Sequence, residues 1–123
     1  MSYQLEMAEN GRYLICRVTR PVTTNLATQF SMAMDQISRA HNIKRFLVDV
    51  RGAPNVATVF QNYEYANKDM KRLDLQRDVR SAILVDSGDH SHDFVETATQ
   101  NAGYVVRVFD DEAAAIAWLE ESS

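Results

Sequence analysis

The sequence predicts an α/β fold: a mixed, mostly parallel sheet with an N-terminal antiparallel hairpin strand and four helices. Three observations lead there. An Asn10-Gly11 turn signal joins two apolar runs near the N-terminus. Segments of strand length then alternate with segments of helical period to the end of the chain. Parallel strands need crossovers of roughly a dozen residues or more, so this alternation reads as a sheet wrapped by helices. The last unit, Phe109-Asp110-Asp111-Glu112-Ala113-Ala114-Ala115-Ile116-Ala117-Trp118-Leu119, passes from a strand through acidic residues into an alanine-rich helix.

Each element has its own signal. Tyr3, Leu5 and Met7 alternate with Gln4 and Glu6, the pattern of an edge strand with one apolar face. Asn10 and Gly11 tolerate positive φ and set a tight turn. Arg12 to Arg20 reads as a second strand, apolar on both faces at Tyr13-Leu14-Ile15-Cys16, and Pro21 stops it. Thr23 or Thr24 caps a helix that runs to about Ala40. Its inner stripe is Leu26, Phe30, Ala33, Met34 and Ile37, with Met32 on the far side. Lys44 to Val50 is a buried strand with Phe46, Val48 and Val50 on one face and Leu47 and Asp49 on the other.

Arg51-Gly52-Ala53-Pro54-Asn55 is a loop by composition. The spacing predicts a second helix from roughly Val56 to Leu73, with Val56, Val59, Phe60, Tyr63, Ala66 and Met70 facing inward. Asn67 falls within that stripe and Tyr65 points away from it. Val79 to Val85 is the next strand, and Asp86-Ser87-Gly88-Asp89 turns out of it. Ser91 to Ala102 makes a short helix ended by Gly103. Tyr104 to Phe109 is the last strand, and Asp110 caps the final helix with Asp111 and Glu112 in its first turn. No linker or repeat interrupts the series, so residues 1–123 are expected to form one domain.

Bulk properties exclude several function classes. Apolar residues make up 46% and charged residues 24% of the chain, an ordinary globular balance. A net charge of −4 opposes binding to duplex nucleic acid, which needs clustered cations. The apolar runs are too short to span a bilayer, and Met1 to Glu6 has neither a basic start nor an apolar signal core. A cytoplasmic protein is the expectation. Cys16 is the single cysteine, so an intramolecular disulfide is excluded.

The order strand-strand-helix-strand-helix-strand-helix-strand-helix, with Phe46-Leu47-Val48-Asp49-Val50-Arg51-Gly52 and the terminal segment from Phe109 to Leu119, resembles the SpoIIAA-like (STAS) superfold family. That superfold is similar in turn to the CRAL-TRIO lipid-binding domain. The resemblance covers nearly the whole chain. It implies a phosphoacceptor motif, Asp-Ser-Ser/Ala-Gly, at the start of the second helix. The matching place reads Ala57-Thr58-Val59-Phe60, where only Thr58 can accept a phosphate. A first-turn threonine that satisfies backbone donors is the favoured account of it. The resemblance therefore implies a regulatory module without the usual phosphoserine switch.

Catalytic chemistry finds little support. His90 and His92 lie among Asp86, Asp89 and Asp93 in a loop beyond the carboxyl end of a strand, but two imidazoles from one loop do not complete a metal site. Cys16 sits mid-strand among apolar neighbours, as an inert packing thiol does. The glycines stand singly, and neither a phosphate-binding loop nor a nucleophile elbow is present. The expectation is a protein that is not an enzyme and holds neither metal nor cofactor.

Methionine and aromatic side chains on the two central helices suit an adaptable apolar groove. The expected ligand is small and apolar or lipid-like, held by Phe60, Tyr63, Asn67, Met70, Phe30 and Met34. From Asn67 to Arg80, five cations stand against three aspartates, interleaved with Met70, Leu73 and Leu75. Such a stretch suits an anionic membrane surface. The alternative is a STAS-type interaction module that binds a protein partner or a second copy through its loop tips and exposed Met32 and Tyr65. Arg17, Asp49 and Arg107 all lie in apolar strands, and the burial implies pairing across one sheet face.

Overall fold

The computed structural model of the chain describes residues 2–121. Five strands form one sheet in the order β1-β2-β3-β4-β5: β1 Tyr3–Met7, β2 Leu14–Val18, β3 Arg45–Asp49, β4 Arg80–Leu84 and β5 Val105–Phe109. β1 is antiparallel to β2, and every later pair is parallel. Four helices follow the strands. α1 is Thr24–His41, α2 covers residues 59–72, α3 is Asp93–Asn101 and α4 is Glu112–Glu120. Among the described residues, no helix is long and apolar enough to cross a membrane.

Topology decides what each sheet face carries. Consecutive strands are neighbours, so every right-handed crossover steps the same way and lands its helix on the same side. α1, α2 and α3 therefore crowd one face. There Leu14, Cys16 and Val18 of β2 and Phe46 and Val48 of β3 pack with Leu26, Phe30 and Met34 of α1. α4 follows the last strand and is free to cross to the other face. It packs Ala115 and Leu119 against Ile15, Leu47, Ala82 and Leu84. The strand order never reverses within the parallel part, so the fold has no topological switch point.

Local signals explain the boundaries. Thr23 caps α1 by accepting from the Leu26 N–H at 3.1 Å, and Asn42 ends it in the left-handed region. Met32 is exposed, as its position opposite the stripe requires. The turn after β1 is longer than Asn10-Gly11 alone suggests, because Met7 pairs with Leu14 and the Ala8 N–H bonds the Tyr13 carbonyl. α4 begins one residue later than expected: Asp111, not Asp110, accepts from the Ala114 N–H.

α2 departs most from the sequence pattern. Val56, Val59, Phe60 and Tyr63, expected inside, are exposed, with Phe60 at 68%. Tyr65, expected outside, is buried at 6%. A capping box, in which Thr58 accepts from the Gln61 N–H and Gln61 accepts from the Thr58 N–H, starts the helix at Val59. Asn62, Tyr65, Ala66 and Met70 then face the sheet. A π-helical turn over Tyr65–Asp69, in which the Met70 N–H bonds the Tyr65 carbonyl, widens the helix so that Met70 rather than Asp69 turns inward.

Candidate functional site

The crowded face is incompletely filled. Its apolar side chains fall into two clusters, one joining α1 to the sheet and the other joining Tyr65, Met70, Leu75 and Tyr104. Two adjoining cavities, of about 110 and 80 Å³, lie between them. Phe30, Ser31, Val48, Met70, Ser81 and Val106 belong to the walls of both. The first also meets Asn62 and Tyr65 of α2 and Val95 and Thr99 of α3. The second reaches Met34, Gln76 and Tyr104. Three helices laid side by side over the sheet leave this gap because their inward side chains do not fill the volume between them.

A polar network ties the loops at the carboxyl edge of the sheet. Asn55 Nδ2 donates to Asn62 Oδ1 at 3.0 Å, and Asn62 Nδ2 donates to the Thr58 carbonyl at 3.1 Å. The Asn55 N–H donates to Ser91 Oγ at 2.9 Å, which joins the β3–α2 loop to the β4–α3 loop. His92 Nε2 lies 3.0 Å from the Ala53 carbonyl, and since a carbonyl only accepts, that nitrogen carries the proton. Burial holds His92 below its ordinary pKa, against the Ala53 hydrogen bond and the charges of Asp89 and Asp93. The imidazole is neutral at pH 7 and serves as a fastener.

Hydroxyl residues stand in the cavity walls beside the amides of Asn55, Asn62 and Gln76. Ser31 and Tyr65 share a hydrogen bond at 2.8 Å. Ser81 interrupts an otherwise apolar inner row of β4 and lies in both walls. Among the described residues, the buried Tyr104 hydroxyl finds no hydrogen-bond partner. Burial pushes Tyr65 up to about 12 and raises Tyr104 as well, so both phenols stay protonated at pH 7.

No protein-family model matches the chain, and no curated protein matches it in sequence. The geometry alone carries the functional argument.

The structure sorts the residues that the sequence nominated. Phe30 and Met70 line both cavities, and Met34 lines the second. Phe60 and Tyr63 line neither and stand on the outer face of α2. Asn67 also points away from the gap, and its Nδ2 donates to the Tyr63 carbonyl at 3.0 Å. Thr58 is the helix cap, its hydroxyl engaged by the Gln61 N–H at 3.1 Å. Ser31, Ser81 and Tyr104 carry no expectation from the sequence, and Tyr65, expected as an exposed contact for a partner, is buried instead. Ser81 left a readable trace, a lone polar residue in phase with Ile83 and Val85.

The other face carries a charge knot. Arg17 and Asp49 are register partners in β2 and β3, and Arg17 Nη1 donates to Asp49 Oδ2 at 2.9 Å. Arg51 grips the same carboxylate from the loop, with Nε and Nη2 at 3.0 and 2.8 Å, and reaches Glu112 of α4 at 3.1 Å. Burial alone would raise the Asp49 carboxyl; the Arg51 hydrogen bonds and the Arg51 and Arg17 charges outweigh it and hold the group below its ordinary value. Arg107 takes no part in the knot; it is exposed and stacks over Phe109. Cys16 lies on the crowded face, fully buried, its thiol pushed up to about 12 by burial and by Asp49.

Beyond β4 and β5 a shallow groove of about 430 Å³ is bordered by Asp86, Asp89, Asp93, Glu96, Asp110 and Asp111. His90 Nδ1 pairs there with Asp93 Oδ2 at 3.0 Å, while His92 turns inward. Among the described residues, no group of three or more His, Cys, Asp or Glu side chains is placed to hold a metal ion.

Proposed function

We propose that the chain is a non-enzymatic binding module of SpoIIAA-like type for a small apolar or lipid-like ligand, housed between α1, α2, α3 and the sheet. The observation that carries this reading is the pair of adjoining cavities with mostly apolar walls. A packed domain normally leaves few voids larger than a water, so a gap of this size is a departure to be explained. An apolar cavity of about 150 Å³ is enough to take up benzene. The ligand is thus about one ring or a short chain in size, and a longer acyl chain needs α2 to move outward. The π turn in the middle of α2 supports that movement, since such turns recur at functional sites.

The outer face of α2 favours contact with an anionic membrane surface. Val56, Val59, Phe60 and Tyr63 stand exposed at its start, and Lys68, Lys71 and Arg72 follow. The same apolar patch favours the second reading, a STAS-type interaction module that binds a protein partner or another copy. Native mass spectrometry of the gently purified protein tests the first reading. The expected result is a co-purifying small molecule. A bare mass, together with failure to bind small apolar probes, would remove it. Flotation with phosphatidylserine vesicles and light scattering then separate membrane from protein contact.

A further inference from the structure

The cavities differ from an engineered apolar void in having polar residues, hydroxyls and amides, in their walls. Ser31 and Ser81 stand where the two cavities adjoin, Tyr65 lies in the first wall and Tyr104 in the second. Among the described residues, the side-chain hydroxyls of Ser81 and Tyr104 make no hydrogen bond, while those of Ser31 and Tyr65 bond each other. Ser81 occupies the central parallel region of β4, a position that apolar side chains usually hold. Tyr104 is 6% exposed, yet its hydroxyl meets no partner. A buried, unsatisfied hydroxyl is costly, and native proteins keep few of them without a reason. Tyr65 buries its whole ring to place its hydroxyl against Ser31.

The charges exclude as much as the hydroxyls include. No Lys or Arg side chain belongs to either wall, and Asp35 is the charged residue that does. Asp35 is already engaged, by Arg39 at 2.7 Å and by Gln76 Nε2 at 3.0 Å. An anionic group entering this space would lose its water and find no cation in the walls, since Arg77 and Lys44 stand behind them, against the Tyr104 ring and Gln76. A phosphate or a free carboxylate is therefore refused. A neutral group that both donates and accepts, such as an alcohol, phenol or amide, finds matching partners.

We propose that the paired cavities are a site for a neutral, hydrogen-bonding small molecule of about one ring, whose polar group is held by the hydroxyls of Ser31, Tyr65, Ser81 and Tyr104. This rests on the reading of the chain as a binding module and names the class of ligand. Phenol and toluene differ by a hydroxyl against a methyl, and benzamide and benzoate by charge, so titration calorimetry with these four probes at pH 7 is the test. The expected result is phenol bound at least as tightly as toluene, and benzamide bound where benzoate is not. In the double variant Ser81→Ala, Tyr104→Phe, phenol weakens about tenfold while toluene holds its affinity. Toluene binding without phenol, benzoate binding as well as benzamide, or phenol unchanged in the variant would each overturn the polar assignment and leave the apolar module standing. Failure of all four probes would remove both. Should the variant not fold, the wild-type phenol and toluene pair still decides the matter.

Discussion

Ser81 and Ala82 are consecutive residues of β4, and they look into two different environments. Ala82 is completely buried against α4, in a cluster with Leu47, Leu84, Ala115 and Leu119. Ser81 looks the other way, into both cavities. One nine-residue helix covers the middle of its face without a gap beneath it, aided by Trp118 against Phe109 at 5.6 Å and the Arg80 guanidinium over Trp118 at 5.1 Å. Three helices fail to seal theirs. Covering a sheet is a matter of volume matched to area, and α4 fills its contact with one small residue, Ala115, beside the larger Leu119, Ile116 and Trp118. The difference teaches that the hollow lies where successive crossovers must share a surface, and not where the chain runs out of apolar residues.

The largest effect that tests this contrast is truncation of equivalent aliphatic anchors. Leu119 is fully buried in the sealed face, and Leu119→Ala is expected to cost roughly 3–5 kcal/mol. Ile83 already borders a cavity, so Ile83→Ala removes fewer contacts and is expected to cost nearer 2 kcal/mol, roughly. Urea melts of the two variants give both values. Equal losses would show that the two faces are packed alike.

Adding volume should reverse the sign between neighbours. Ala82→Val forces methyl groups into filled space and is expected to cost about 1–3 kcal/mol. Ser81→Val enters empty space and removes a polar group from apolar walls, so stability should hold or rise by roughly 1 kcal/mol. Thermal unfolding of the pair, one residue apart in sequence, is the most economical test of the comparison. Destabilisation by Ser81→Val would mean that the hydroxyl is bonded to something that the apolar side chain displaces.

The strands and their faces were legible in the sequence, and the phase of α2 was not. Alternation told correctly that Phe46, Val48 and Val50 face one way and Leu47 and Asp49 the other, because a period of two leaves no ambiguity. The pairing of Arg17 with Asp49 followed from burial of charge on adjacent strands. Periodicity places Val56, Val59, Phe60 and Tyr63 on one stripe with Ala66 and Met70, and of these only Ala66 and Met70 are buried. The π turn over Tyr65–Asp69 breaks the helical period between the two groups, and it has no pattern in sequence. The six expected ligand residues divide along this line: Phe30, Met34 and Met70 line the gap, whereas Phe60, Tyr63 and Asn67 belong to the outer surface. Hydroxyl positions such as Tyr104 depend on where a cavity falls, which only packing reveals.

The charge knot on the sealed face gives a smaller, pH-dependent effect. The folded-state pKa of Asp49 lies below its unfolded value, so its contribution is fully present above about pH 4 and is lost as pH falls through the folded value. Asp49→Asn is expected to cost about 1–2 kcal/mol at pH 7, since the Arg17 and Arg51 side chains are half exposed and screened. Below pH 4 the wild type and the variant should converge. A stability difference that stays constant into acid would assign the loss to packing.

The smallest expected effect on stability sharpens the contrast within α2 itself. Phe60 is 68% exposed and touches neither cavity, so Phe60→Ser should change stability by less than about 0.5 kcal/mol. Met70→Ala, ten residues along the same helix, removes a buried side chain from both cavity walls and should cost roughly 2 kcal/mol or more. Surface binding should follow the opposite order. If the exposed patch is what meets a vesicle, Phe60→Ser weakens flotation severalfold while small-probe binding is unchanged, and Met70→Ala alters probe binding while flotation persists. The two readouts then separate the outside of α2 from its inside. Were Phe60→Ser to destabilise the fold as much as Met70→Ala, the helix would have to sit in the phase that its outer apolar stripe suggests, and the cavity beneath it would have different walls.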